Sequence, residues 1–542
     1  MRRTKRVLLY AGILAVFLAS CVAMPVAAIA KDLWKPIAAV PIPSDNFLQY
    51  VPQSERFIRY YPVTYSNKID HVSIPQNPYM APNDKSNMHS DSYMSDTNEI
   101  SGPLGLCPQV NSTWKAPLPP GAQATTVTFD RQGRVVTVLG GYGAPRLVLL
   151  DPVSLDELAS FTLPPRPYNP NDPIPITEDT SGGAYFYLDN EDNVVVTTHD
   201  YRILVIDVPS TPSKGFQVVR EYDLDVLLPQ IPFALDKAGP ALPDWEGLHY
   251  WYTTRYGLVG TVDRETHEVQ TIELAGEQIQ DSPAVAEDGF YVVTDFAMYL
   301  FRADELTGAP VQVWRTPYDR GLSKKPGMIT QGSGTTPTII GDLVAIADNA
   351  YIMNVRFLRR DTGAQVCSIP AFPLLGYYGC TENSLIGVQQ KDGSYSVIVE
   401  NNFGIPTSPP GAGIYAVTGG KSGVGGVSRI DVVPDGCGGY SCHQEWFSAE
   451  KSITVVPKMS LKNGLIYLYT KPNTVGIDYI DKWYLTAVDF RTGNTVYRVL
   501  TGTGVNYNNN WSPMTLGPDG ATAYVGTLVG LVAVRDCEDC QS

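Results

Sequence analysis

The chain has 542 residues, 44% of them hydrophobic and only 18% charged, with 48 glycines, 43 prolines, 32 tyrosines and a net charge of −15. Such an acidic balance excludes nucleic acid or an anionic membrane surface as a favoured partner. A charged fraction below the roughly 25% of an average domain, with many turn formers, points to a large, turn-rich β protein.

Residues 1–30 read as an export signal: Arg2, Arg3, Lys5 and Arg6 precede an apolar run from Val7 to Leu18 and then small residues. Leu18-Ala19-Ser20-Cys21 has the form of a bacterial lipobox, while Ala28-Ile29-Ala30 fits an ordinary signal peptidase, and an uncleaved anchor is a third alternative. Without this segment the chain carries 36 basic and 55 acidic residues, a net charge of −19. The expectation is an exported protein of the periplasm, cell envelope or extracellular space. It would touch a membrane only through an N-terminal lipid on Cys21 or an anchor.

Residues 31–109 lack periodicity and read as an irregular leader or wrapping segment. From 110 to 542, short apolar runs alternate with turn signals such as Asp130-Arg131-Gln132-Gly133, Asn463-Gly464 and Pro518-Asp519-Gly520. The runs group into units at about 124–163, 180–222, 244–274, 282–314, 333–370, 380–448, 453–500 and 511–535. Four-stranded units repeated in this way predict an all-β propeller of eight blades, with seven as the alternative. The last unit supplies only three strands, and Asn111–Leu118 has no partner in its own unit. The expectation is that this N-terminal strand completes the last blade and closes the ring.

A phrase recurs where third strands end: Asp489, Thr492 and Gly493, and again Asp304, Thr307 and Gly308. Weaker copies are Asp263 and Thr266, with His267 in place of glycine, and Asp361-Thr362-Gly363. Asp and Thr side chains can bond backbone groups across a turn while glycine takes positive φ, so the phrase reads as a turn. With Ala487, Tyr497, Trp314 and the pairs Ser282-Pro283, Thr336-Pro337 and Ser512-Pro513, it resembles the pyrroloquinoline-quinone-type propeller repeat. The resemblance implies a propeller over residues 110–536. It leaves the task open, because that fold serves quinone dehydrogenases, assembly lipoproteins and other binding proteins. The adjacent cysteine pair of the dehydrogenases has no counterpart here, and their catalytic Asp and calcium ligands find no matching positions. Pyrroloquinoline quinone is therefore not the expected cofactor.

In a propeller the loops entering first strands and those joining second to third strands open on one face, where function is sought. The entering loops contribute Asp179, Asp244, Glu246, Asp281, Glu382 and Asn383, and the second-to-third loops His199, Arg255, Asp348, Asn349, Glu400, Asn401 and Asn402. Oxygen donors at this density suit calcium, with Glu246, Asp281, Asp348, Asn349, Glu400, Asn401 and Asn402 as candidate ligands. Turn capping is the alternative role for each. His199 and His249 are the candidate catalytic bases, though a histidine among tyrosines in a strand is more often packed. No nucleophile elbow, zinc motif or phosphate loop accompanies them.

Export makes disulfides the default for the cysteines beyond Cys21. Cys437 with Cys442 and Cys367 with Cys380 are the sequence-local pairings, and ring closure would bring Cys107 to Cys537 or Cys540. The functional expectation is a ligand-binding or scaffold propeller whose partner is a small molecule or an envelope or extracellular protein. The alternative is an enzyme, either a quinone-dependent dehydrogenase or a metal-dependent hydrolase or transferase.

Overall fold

A computed structural model describes residues 53–61, 67–113, 123–140, 144–165, 179, 181–224, 236–405, 423–452, 454–473, 481–528 and 530–537. Their strands form eight sheets, one per blade. Blade 1 runs Gln123–Phe129, Val135–Gly140, Arg146–Leu150 and Glu157–Thr162, each strand antiparallel to the next. Blades 2 to 7 repeat the pattern over 186–223, 238–273, 284–317, 338–370, 386–448 and 458–503. Blade 8 takes Met514–Leu516, Thr522–Thr527 and Gly530–Arg535, and its fourth strand is Gln109–Ser112, which pairs Val110 with Val534 and Asn111 with Ala533. An eight-bladed β-propeller closed by an N-terminal strand is thus what the chain forms.

Short first strands such as Ala284–Ala286 and Thr338–Ile340 are wholly buried, whereas outer strands such as Tyr440–Ser448 alternate between half-buried and exposed positions. The core lies between successive sheets, where aromatics interlock: Trp251 of blade 3 stacks on Phe290 of blade 4 with ring centroids 4.8 Å apart. The Asp-x-x-Thr-Gly phrase forms the turn after the third strand. Asp489 Oδ1 accepts hydrogen bonds from the Arg491 and Thr492 backbone N–H groups at 2.8 and 2.7 Å. His267 takes the glycine's place in blade 3 at φ 63°. A fifth copy begins at Asp151, which accepts from Val153 and Ser154 N–H, with Leu155 at φ 60°. Glycine serves a second purpose in these turns: a Cβ on Gly493 would lie 2.7 Å from the Trp446 ring of the preceding blade, and one on Gly363 2.6 Å from that of Trp314.

Blade 3 departs from the sequence expectation. Its first strand is Ala238–Pro243 rather than a segment starting near 244. Two prolines and Gly239 disguise it, yet an innermost edge strand tolerates proline because one row of its N–H groups meets no further strand.

Residues 86–98 are buried throughout and plug one end of the central channel. Ser86, Ser92, Tyr93, Ser95 and Asp96 carbonyls accept from the N–H groups of Leu188, Val285, Ile339, Gly387 and Met459, the inner edges of blades 2, 4, 5, 6 and 7. Thr97–Asn98 adds a short parallel pairing to blade 7. The plug satisfies strand edges that would otherwise face an empty channel.

Cys367 and Cys442, on the outermost strands of blades 5 and 6, form a disulfide with Cα atoms 6.5 Å apart. The two sequence-local pairings do not form: Cys380 is a buried free thiol and Cys437 an exposed one. Cys442 sits within a strand paired along its length with the third strand of blade 6, which carries it away from the turn holding Cys437. Cys107 is disulfide-bonded while Cys537 is free, which excludes their pairing; Cys540 lies outside the described residues.

Candidate functional site

Each strand crossing reverses the face on which the next loop emerges, so the plug and the Asp-x-x-Thr-Gly turns share one face and the entering loops share the other. The second face is the channel mouth. Three charged side chains from three blades meet there: Arg255 after the second strand of blade 3, Asp281 before the first strand of blade 4, and Glu382 before the first strand of blade 6.

Their geometry is unusual for charges so enclosed. Among the described residues none of the three forms an ion pair, the buried Arg255 Nε has no hydrogen-bond partner, and neither has Glu382 Oε2. Glu382 Oε1 accepts from the Ile329 N–H at 2.8 Å, which fixes the carboxyl in place. The groups nonetheless feel one another. Burial pushes the Asp281 carboxyl up to about 7 against the pull of Arg255, even though part of Asp281 still touches channel space. Burial, then the Asp281 charge, holds the Glu382 carboxyl well above the usual carboxylate range. Desolvation lowers the Arg255 guanidinium, with Asp281 and Glu382 opposing it. Tyr185, just before the first strand of blade 2, is raised by burial and by the same two carboxyls. Beside them lies a gap of about 20 Å³ lined by Asp179, Ser181, Lys237, Thr253, Arg255 and Asp281. That is room for one or two water-sized groups. An isolated buried charge costs several kcal/mol unless paired, so this arrangement is suited to receiving polar groups from outside the chain.

The other sequence candidates make hydrogen bonds of their own, although Asn349 Oδ1 is buried without a partner. Asp348 caps its own loop, accepting from the Asn354 N–H at 2.8 Å and the Asn354 Nδ2 at 3.0 Å. Asn349 Nδ2 donates to the Arg320 and Ser323 carbonyls. The Asn401 amide ties together Cys380, Phe403, Tyr378 and Gly425, and Asn402 Oδ1 accepts from the Glu382 N–H at 2.7 Å. Glu400 accepts from Asn383 Nδ2 at 2.7 Å and from the Ser452 hydroxyl. These hydrogen bonds hold the loops of the mouth in place.

Glu246 and Asp244 fall on the opposite face, because the earlier start of blade 3 puts them between its first and second strands. They line a cleft of about 530 Å³ between blades 3 and 4. His249 is there too, its Nδ1 2.9 Å from Asp244 Oδ2. Its ring occupies the place Trp314 and Trp446 hold in later blades, 2.6 Å from where a Cβ on Gly308 would sit. His199 does reach the mouth face, its Nδ1 3.3 Å from the Ser181 Oγ, which in turn donates to Asp179 at 2.5 Å. Among the described residues, the one group of three metal-ligating side chains with donor atoms within 4.8 Å of one another is Asp431, His443 and Glu445, on outer strands of blade 6.

Sequence reasoning placed Arg255, Asp281 and Glu382 on one rim without bringing them together. Tyr185, and the buried set below the mouth, escaped it. There Asp96 accepts from the Lys458 Nζ at 2.5 Å, lies 3.2 Å from His89 Nδ1, and receives the Ser384 hydroxyl. Burial would raise Asp96, but Lys458 and His89 outweigh it and hold the carboxyl below its ordinary value.

No family model matches the chain. An uncharacterised protein of Archaeoglobus fulgidus is 26% identical over 332 residues, 53% of this chain and 59% of that protein. The chain thus spans about three-fifths of the length of that curated relative. Among solved structures, a europium-containing methanol dehydrogenase superposes with a TM-score of 0.50 at 12% identity, over 84% of this chain and 98% of that one. The quinohemoprotein alcohol dehydrogenase from Comamonas testosteroni gives 0.50 at 12% identity, over 86% and 83%. At such identities the likeness is one of fold.

Proposed function

We propose that this chain is an exported β-propeller that binds a small polar molecule at the mouth of its channel. The observation that carries the reading is the set of Arg255, Asp281 and Glu382, enclosed by the ring, mutually influencing and yet unpaired. Charged groups in a folded interior are normally satisfied, and perturbed, unsatisfied ones concentrate at binding sites. The signal-like segment at residues 1–30 supports export.

The test is a thermal-shift screen of the purified protein against a fixed panel: sugars, carboxylic acids, amines, free amino acids, calcium and pyrroloquinoline quinone. A compound that raises the melting temperature of the wild type and leaves Arg255→Met and Asp281→Asn unmoved supports the mouth as the site. A panel without any such compound overturns the reading. Dye-linked alcohol oxidation with quinone and calcium, lost in the same variants, would replace binding by dehydrogenase activity.

A further inference from the structure

We propose that the molecule held at the mouth is a small zwitterion carrying an ammonium and a carboxylate on the same carbon, as a free α-amino acid does. This rests on the mouth being the ligand site and narrows its chemistry.

The mouth presents one guanidinium and two carboxyls: Arg255 and Asp281 line one gap, and Arg255 Nε and Glu382 Oε2 are buried without a hydrogen-bond partner. An anionic ligand would satisfy Arg255 and bring a second negative charge against Asp281. A simple amine would satisfy Asp281 and leave the guanidinium unpaired, at a desolvation cost of several kcal/mol. A divalent cation would face Arg255 at close range, and among the described residues no three metal-ligating groups lie within 4.8 Å of one another at the mouth. A neutral ligand would compensate none of the charges. A zwitterion answers both signs at once and brings no net charge into the ring. Its carboxylate takes the Arg255 guanidinium, a charge-assisted contact with fixed fork geometry. Its ammonium takes Asp281. Glu382 keeps its proton in this low-dielectric setting and donates the Oε2 hydroxyl, so the assembled group is neutral.

Volume sets the second constraint. A gap of about 20 Å³ takes one or two water-sized groups, such as the ammonium or a carboxylate oxygen, and no more. The remainder of the ligand must project outward into the open mouth. Discrimination should therefore be strong for the two charges and weak for the side chain.

Isothermal titration of the mature protein with L-alanine, N-acetyl-L-alanine and L-alanine amide tests the proposal. L-Alanine should bind, and each blocked analogue, lacking one charge, should bind at least tenfold more weakly. Arg255→Met should abolish the advantage of alanine over its amide, and Asp281→Asn its advantage over the N-acetyl compound. Titrations in buffers of different ionisation enthalpy should show proton release on binding near pH 6 that disappears by pH 8.5, because the ammonium displaces the proton from Asp281. Equal binding of alanine and either blocked analogue overturns the proposal, as does binding unchanged in both variants. If alanine gives no heat while another panel compound binds in an Arg255-dependent way, the mouth stands as a site and the zwitterion falls. If no panel compound binds, both readings fall together.

Discussion

Replacing Glu400 by glutamine measures what the ring gives up by enclosing a carboxyl beside the mouth. The side chain is 1% exposed, and its two acceptor contacts, from Asn383 and the Ser452 hydroxyl, only partly offset burial. Burial raises the carboxyl from 4.5 to about 8. Between those values the folded protein keeps a proton that the unfolded chain releases, so the contribution of Glu400 to stability is greatest below pH 4.5 and falls as pH rises towards 8. At about 1.4 kcal/mol per pH unit the loss is on the order of 5 kcal/mol once the group is ionised in both states. Glutamine keeps the shape and one carbonyl acceptor but cannot ionise. Urea unfolding of wild type and Glu400→Gln, followed by tryptophan fluorescence, should agree within about 1 kcal/mol near pH 4.5, the worth of one altered neutral hydrogen bond. Near pH 8.5 the variant should be the more stable by several kcal/mol. Parallel stability profiles across this range, or a variant weaker at pH 8.5, would refute the argument.

The plug and the outer staple give two further tests. Lys458→Met strands Asp96 in a fully buried position and should cost about 3–5 kcal/mol in denaturant unfolding, with much of the loss recovered in the double variant Lys458→Met/Asp96→Asn; an equally weak double variant would show that shape rather than charge governs the contact. Cys442→Ser removes a cross-link between residues 75 apart and should lower stability by about 2–4 kcal/mol. Wild type unfolded under reducing conditions should then match the variant, and a persistent difference would assign the effect to packing.

Much of the architecture was legible because strands, turns and closure are local or repetitive. The Asp-x-x-Thr-Gly turns bond within five residues of sequence, so Asp489 and Asp304 announce them wherever they stand. Even His267 could be placed, since the surrounding turn imposes its left-handed backbone. The missing strand of the last unit and the spare one before the first implied each other. Ala238–Pro243 was illegible for the opposite reason: an edge strand need not look like a strand, and one missed strand moved Asp244 and Glu246 to the wrong face.

The sequence by itself determined the repeating unit, the number of blades and the means of closing the ring, because each depends on backbone chemistry within a few dozen residues. Only the tertiary structure decided that Cys367 bonds Cys442, that residues 86–98 plug one end of the channel, and that Arg255 and Glu382 each keep a buried polar atom without a partner at its mouth. Those outcomes join residues from different blades, and curvature of the closed ring sets their separation. Burial then decides their chemistry: the same carboxyl that would be solvated on a loop becomes, inside the ring, a group in want of a partner.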